Sequence, residues 1–185
     1  KIITINKCIK IIKERYKKLK ILDLKYSKFL VDEIKWIKCC NYNTIDAYQS
    51  ADRTGRKVKK GEGPQRLLKN SKSREAIFNL MLSYNKILEE NHLVDSEERD
   101  LIALDYIKNF NNKFTHIIVD EFQNFTKVQF EIVKALLNNK DYASMLLVNS
   151  QDNNSNPNGW FVKGRKLNSI GIYTKIKTYS LKNTY

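Results

Sequence analysis

Apolar residues recur every three or four positions up to about residue 110, which predicts that this part of the chain is helical. Capping residues mark where several of these helices begin, at Thr44, at Ser71 or Ser73, and at Asp95. The second helix carries Trp36, which we interpret as a core anchor rather than a surface for stacking bases. The predicted helices cover residues 1–22, 27–40, 44–48, 71–90 and 95–109.

The pattern changes after residue 110 to strand, helix and strand. The β-branched run at 117–119 predicts a short strand that is buried on both faces of a parallel sheet. Thr126 and Gln129 have the spacing of a capping box, and apolar residues at helical spacing follow them. A second apolar run at 143–148 predicts the next strand, which completes a parallel βαβ unit. Alternation over residues 172–181 suits a third strand.

Two adjacent carboxylates, Asp120 and Glu121, directly follow the first predicted strand. Open α/β sheets bind their ligands at the carboxyl ends of the strands. Acids at this position are suited to holding Mg²⁺ and to activating a water beside a nucleotide phosphate. The alternative is a pair of ordinary turn residues, because acids also favour turns and the first turns of helices.

The composition points to an anionic partner. The formal net charge is +14 and the pI is near 9.6, which favours attraction to nucleic acid first and to an anionic membrane second. A high charge that serves solubility alone is the alternative. Three cysteines and two histidines suggest neither a disulfide framework nor a zinc site, and they fit a cytoplasmic setting. No apolar run approaches the ~20 residues of a membrane span, so we expect no membrane partner.

Two segments of the first half are rich in basic residues. The predicted helix at 1–22 has a basic polar face, which is either simply solvated or follows DNA. Residues 51–66 form a loop whose glycines let backbone N–H groups approach phosphates. The loop lacks Gly-x4-Gly-Lys-Ser/Thr, so it is not a Walker A site. We interpret it as a contact to a nucleic-acid backbone, with a disordered basic loop as the alternative. The candidate contacts are Arg53, Arg56, Lys57, Lys59 and Lys60.

Residues 117–123, Ile-Ile-Val-Asp-Glu-Phe-Gln, resemble the second motif of UvrD/Rep-type superfamily 1 DNA helicases. That motif is a hydrophobic strand followed by Asp-Glu-x-Gln-Asp, and Asn124 stands here in place of its last Asp. Residues 53–56 (Arg-Thr-Gly-Arg) and 70–75 (Asn-Ser-Lys-Ser-Arg-Glu) resemble elements of one branch of the same group. The family's third motif, aligned without gaps from the strand, falls on altered residues.

The resemblance implies a role for each matching residue. Asp120 matches the residue that holds Mg²⁺, and Glu121 matches the base that orients or activates the attacking water. Gln123 matches a residue that helps to couple ATP hydrolysis to DNA. Asn124 replaces an acid, so the resemblance assigns it no role.

The third motif is degraded, since Ser150 falls where the family has Asp and Asn153 where it has Gln. Nearby aromatic residues of the family stack on the bases of single-stranded DNA, a role that Trp160 can fill. A core tryptophan is the alternative. Lys163 and Arg165 are further candidate contacts to nucleic acid.

The expected fold is α/β, with a mostly helical part followed by the partial RecA-like parallel sheet of an incomplete P-loop NTPase fold. We expect residues 1–110 to form a helical insertion subdomain with the basic loop 51–66, and residues 111–185 to form a partial RecA-like ATPase domain.

The resemblance implies a fragment of an ATP-dependent DNA helicase that moves along single-stranded DNA, with ATP and Mg²⁺ as cofactors. We expect it to be a monomer. A non-catalytic nucleic-acid-binding relative is the alternative. The chain supplies neither the phosphate-binding lysine nor an arginine finger. We therefore expect these 185 residues alone to show no appreciable ATP hydrolysis and no tight binding of ATP or Mg²⁺.

Overall fold

The computed structural model describes residues 1–56, 58–111, 113–150, 155–162, 164–165, 167–170 and 177–180. The helices are α1 (Ile2–Lys13), α2 (Ser27–Cys39), α3 (Ile45–Ser50), α4 (Lys72–Glu90), α5 (Ser96–Lys108) and α6 (Lys127–Leu136). Two strands, β1 (His116–Val119) and β2 (Ser144–Leu147), lie on either side of α6 in the chain. Short 3₁₀ turns cover Lys20–Leu22, Leu24–Tyr26, Phe122–Asn124 and Leu167–Ile170.

The predicted caps are confirmed. The side chains of Thr44, Ser71 and Asp95 accept hydrogen bonds from backbone N–H groups three residues ahead, at 3.2, 3.3 and 2.7 Å. Thr126 and Gln129 form the complete capping box at the start of α6. Each cap satisfies an N–H group that a helix start leaves unpaired, which contributes about 1 kcal/mol. Local sequence therefore determines where these helices begin.

The first helix ends earlier than the predicted residue 22. α1 ends at Lys13, where the backbone N–H of Tyr16 is shared between the carbonyls of Ile12 and Lys13. The side chain of Tyr16 is then fixed on α4, since its hydroxyl donates to Glu75 Oε1 at 2.7 Å and accepts from Asn79 Nδ2 at 2.7 Å. These tertiary contacts override the helical spacing of the apolar residues beyond Lys13.

α1, α2 and α4 pack against one another and enclose the helical core. Trp36 is buried on α2, as predicted, with its ring centroid 5.4 Å from that of Tyr42. The same apolar cluster continues into Val119, Phe122 and Phe130 of the βαβ part. One apolar core therefore contains residues from both sides of residue 110. The division into two domains at that residue stays a prediction.

A buried carboxylate organises the segment between α3 and α4. The side chain of Glu33 is fully buried and accepts hydrogen bonds from Tyr48 Oη at 2.9 Å, from Arg53 Nε and Nη2 at 3.0 and 2.6 Å, and from Arg56 Nε at 3.2 Å. Such a charge is tolerated in the interior only when it is paired. The loop that follows Arg53 is thereby attached to α2.

Arg74 fixes the backbone of the same segment. Its buried guanidinium donates hydrogen bonds of 2.6–3.0 Å to four backbone carbonyls. These carbonyls belong to Tyr48, Gln49, Ala51 and Leu67. The two ends of the segment are therefore held by one side chain of α4.

The predicted strand–helix–strand unit is confirmed. β1 and β2 pair in parallel, with Ile118 opposite Leu146, and α6 connects them. The fold is thus mostly helical with a small parallel sheet. The prediction that β1 is buried on both faces is wrong, because Ile118 is 74% exposed and its neighbour on β2, Leu146, is 55% exposed on the outer face. The described helices cover the other face, where Val119 is buried.

Most of the predicted third strand, 172–181, lies outside the described residues, and residues 177–180 are not in a strand. None of the described helices combines the length and the apolar composition that a membrane crossing requires. The three cysteines are buried free thiols.

Replacing Glu33 with Gln removes the negative charge that faces Arg53 and Arg56. We expect the free energy of unfolding to fall by about 3–5 kcal/mol, because a buried charge then lacks its counter-ion. Urea unfolding of both proteins measures the difference. Glu62→Gln is the matched control, since Glu62 pairs with Lys28 at the surface, and it should leave the unfolding midpoint almost unchanged. Equal effects of the two substitutions would contradict the assignment of Glu33 as the buried hub.

A second buried pair predicts a pH dependence. The ammonium of Lys38 lies 2.9 Å from Asp95 Oδ2 and 3.0 Å from Glu98 Oε2. Burial acts to raise the pKa of Asp95, but hydrogen bonds from Lys38 and from the backbone N–H of Glu98 outweigh it and lower that pKa. The stabilisation is therefore complete above the ordinary pKa of 3.8 and is lost as the pH falls through the folded-state pKa.

Asp95→Asn keeps a capping side chain but removes the charge. We expect the variant to be less stable at neutral pH, and the difference from the original protein to narrow below pH 3.8. Unfolding curves measured from neutral to acidic pH test this. A difference that stays constant over the whole range would show that the pair with Lys38 does not set the pKa of Asp95.

Candidate active site at the carboxyl edge of the sheet

The acidic pair lies where the chain leaves β1. Val119 ends the strand and is buried, whereas the side chains of Asp120 and Glu121 are exposed. Asp120 Oδ1 accepts a hydrogen bond of 2.8 Å from the backbone N–H of Glu121. Backbone hydrogen bonds from Val148 to Val119 (2.8 Å) and from Phe122 to Val148 (3.0 Å) continue the sheet past the pair. Both carboxylates therefore lie at the carboxyl edge of the sheet, as the sequence predicts.

The turn that follows has an unusual backbone conformation. Glu121 has φ 50°, in the left-handed region that residues other than glycine adopt at a cost of about 1–3 kcal/mol. The next residue, Phe122, is buried with its ring centroid 5.3 Å from Phe130 and 5.0 Å from Phe161. Aromatic packing immediately after Glu121 thus holds the chain in the turn that directs the acid outward.

Gln123 joins the acid to the neighbouring strand end. This side chain is 3% exposed. Its Nε2 donates to Glu121 Oε2 at 2.6 Å, and its Oε1 accepts from the backbone N–H of Ser150 at 3.2 Å. Ser150 lies in the segment after β2 where the third motif is expected. The amide therefore forms a direct connection between Glu121 and that segment.

Asn124 has a structural role that the sequence analysis did not assign. Its Oδ1 accepts from the backbone N–H groups of Ser155 and Asn156 at 2.9 and 3.3 Å, and from Ser155 Oγ at 3.1 Å. Asn156 Nδ2 donates to the backbone carbonyl of Asn124 at 2.7 Å. The asparagine-rich run at 149–159 was the signal available in the sequence, because such side chains commonly bond to nearby backbone.

The donor set fits Mg²⁺ as an open site rather than a closed one. No group of three or more His, Cys, Asp or Glu side chains suited to a metal occurs among the described residues. Mg²⁺ is usually held by one or two carboxylates together with substrate phosphates and water. Exposed Asp120 and Glu121 at a strand end meet that requirement once a phosphate is present.

Arg53 and Arg56 lie elsewhere than the sequence analysis expected. Their side chains are 9% and 7% exposed and are directed at Glu33. Each guanidinium here neutralises a buried acid, and contact of these arginines with a nucleic-acid backbone stays a prediction. Lys59 and Lys60 of the same loop are exposed. Lys57 and Lys163 lie outside the described residues.

Trp160 and Arg165 form an internal stack. Trp160 is 8% exposed, and its backbone N–H donates to the carbonyl of Phe125 at 2.7 Å. The guanidinium carbon of Arg165 lies 3.6 Å from the ring centroid, and Arg165 Nη1 donates to the carbonyl of Trp160 at 3.1 Å. The ring face is thus covered by protein. This packing matches the core alternative for Trp160. Stacking of Trp160 on bases and contact of Arg165 with nucleic acid stay predictions.

One of three comparisons with known proteins found a match. The family model of the UvrD/REP helicase N-terminal domain matches residues 2–153. The matched range includes the helical part, both strands and the acidic pair. No curated protein and no solved structure matches the chain.

Replacing Gln123 with Ala should separate the acid from the segment after β2. We expect a loss of about 1–3 kcal/mol in unfolding free energy, because the hydrogen bonds of the buried Gln123 amide to Glu121 and Ser150 are lost. We also expect faster hydrogen exchange at the Ser150 amide. Gln65→Ala is the control, since exposed Gln65 donates its hydrogen bond to the carbonyl of Val58 within its own loop. Unchanged exchange at Ser150 would contradict the proposed connection.

Proposed function

Because the chain belongs to the UvrD/REP helicase N-terminal domain family, we propose that it is part of an ATP-dependent DNA helicase that couples ATP hydrolysis to movement along single-stranded DNA. The observation that carries the proposal is the position of Asp120 and Glu121, which are exposed together at the carboxyl edge of the parallel strands. Nucleotide phosphates bind at this edge in open α/β sheets.

Each acid then has a separate task. Asp120 would hold Mg²⁺, directly or through water, and Glu121 would orient and deprotonate the attacking water. Bound Mg²⁺ would supply neutralising charge at the phosphates. The left-handed backbone at Glu121 supports this division, because it directs the carboxylate away from the core while Phe122 remains buried.

Gln123 provides a physical route for coupling. Its amide touches Glu121 on one side and the segment after β2 on the other. A displacement of that segment would therefore move or release the carboxylate of Glu121. DNA bound near the segment would alter ATP hydrolysis by moving this carboxylate. Conversely, a change at the ATP phosphates would shift the segment that contacts DNA.

Two groups needed for the reaction are not supplied by these residues. Gly-x4-Gly-Lys-Ser/Thr does not occur in the 185-residue sequence. An arginine finger contributes about 10³–10⁵ in rate, and the Walker A lysine binds the phosphates directly. The first test is therefore the gene sequence upstream of Lys1, where the proposal expects a Walker A motif in the same reading frame.

In a protein that carries both this motif and residues 1–185, Glu121→Gln should lower kcat for ATP by about 10²–10⁴-fold, the usual contribution of a general base. ATP binding should be retained, because the substitution is nearly isosteric. Phosphate release with and without single-stranded DNA measures the effect. The 185-residue chain is the control and should release no phosphate above background. DNA-stimulated turnover by that chain, lost on Glu121→Gln, would overturn this assignment of missing groups.

A nucleic-acid-binding relative without motor activity is the second candidate. The altered third motif favours it, because Ser150 takes the place of an acid and offers its backbone N–H to Gln123. Absence of a Walker A motif upstream would select this candidate. ATP hydrolysis by the longer protein that single-stranded DNA stimulates would exclude this candidate.

A further inference from the structure

The first 28 residues carry most of the excess positive charge. They contain ten Lys and Arg side chains but only two acids, Glu14 and Asp23, which gives +8 of the total +14. This segment comprises α1 and the turns that lead into α2. It is distinct from the acidic pair and from the loop 51–66.

Four of the ten cations have acidic partners. Ion pairs join Lys1 to Glu97, Lys13 to Asp23, Arg15 to Glu75, and Lys28 to Glu62. Within the described ranges, no carboxylate oxygen lies within 4.0 Å of the amino groups of the other six lysines. All six are exposed, and they are Lys7, Lys10, Lys17, Lys18, Lys20 and Lys25.

The geometry of α1 places two of these charges, those of Lys7 and Lys10, on one side of the helix. Ile5, Ile9 and Ile12 are buried on the side that packs against α2 and α4. At 100° per residue, Lys7 and Lys10 lie on the opposite side of the helix, next to Glu14. Lys17 and Lys18 follow at the end of the helix. The 12-residue helix is about 18 Å long, a distance that spans about five phosphates of one strand in duplex DNA.

We propose that the unpaired lysines of α1 and the following turn, the α1 lysine face, bind the phosphate backbone of nucleic acid. This inference rests on the proposed function and specifies the surface that holds the DNA. Arg53, Arg56 and Trp160, which are candidate contacts on sequence grounds, are engaged inside the protein. Lysines without acidic partners keep their full attraction for phosphate and release counter-ions when they bind it.

The packing of α1 favours nucleic acid over a membrane. A helix that lies on a membrane inserts its apolar face between lipids. The apolar face of α1 is already used in the core, where Ile5, Cys8, Ile9 and Ile12 are buried. The outward side carries Lys7 and Lys10 together with Ile3 and Ile11, which are 76% and 64% exposed. Two separate isoleucines do not make the broad apolar face that inserts into lipid, whereas the cations suit contact with a charged backbone without reading its sequence.

The test compares two triple variants of the 185-residue chain in binding to a fluorescent oligonucleotide over a range of salt concentrations. One variant neutralises the face by Lys7→Gln, Lys10→Gln and Lys17→Gln. The control removes equal charge at Lys69, Lys86 and Lys108, which are exposed but are each paired with an acid. Thermal unfolding of both variants verifies that they fold.

The face variant should bind at least tenfold more weakly at low salt. The slope of log affinity against log salt should decrease by about 2 for single strands, at ~0.7 per lost contact, and by nearly 3 for duplex, at ~0.9. The control variant should keep both the affinity and the slope of the original chain. Slopes measured with single-stranded and duplex oligonucleotides distinguish the two forms of DNA.

Each other outcome has a defined meaning. Equal losses in both variants would overturn the inference, because net charge alone would then explain binding. Binding by the original chain that is unchanged in the face variant would overturn the inference and leave the proposed function intact. No binding by the original chain at low salt would contradict both the inference and the proposed function. Binding to phosphatidylserine vesicles but not to oligonucleotides would assign the face to membranes instead.

Discussion

Neutralisation of one buried charge, that of Glu33, is the constraint on which much of the structure depends. A carboxylate placed in the core must be paired, and the pairing here draws in Arg53 and Arg56 from the loop that follows α3. The loop is consequently attached to α2, and Arg74 secures its backbone from α4. The positive charges of Arg53 and Arg56 are therefore used inside the protein. Exposed lysines without such a partner remain outside, and six of them lie in the first 28 residues.

Local features of the fold were predictable from the sequence, whereas pairings between distant residues were not. Thr44, Ser71, Asp95 and Thr126 cap helices through contacts only three residues away, so spacing alone reveals them. Glu33 and Arg53 are 20 residues apart in sequence, and no periodicity relates them. The early end of α1 has the same origin, because Tyr16 is held by residues of α4.

The candidate site shows the same division. The positions of Asp120 and Glu121 follow from the end of a strand, which the apolar run at 117–119 marks clearly. The contacts of Gln123 with Ser150, and of Asn124 with Ser155, require the chain to return after β2 and could not be derived from spacing. Burial of Trp160 depends likewise on Phe125 and Arg165, which approach it only in the folded chain.

The left-handed backbone at Glu121 links the precision of the site to the aromatic cluster beneath it. The strain there is opposed by the packing of Phe122 on Phe130 and Phe161. Segments held in this way can melt locally at temperatures at which the helices remain intact. Warming, or a cavity under Phe122, would therefore let the carboxylate of Glu121 leave its position before the helices unfold. Far-ultraviolet spectra would still report a native fold at that stage.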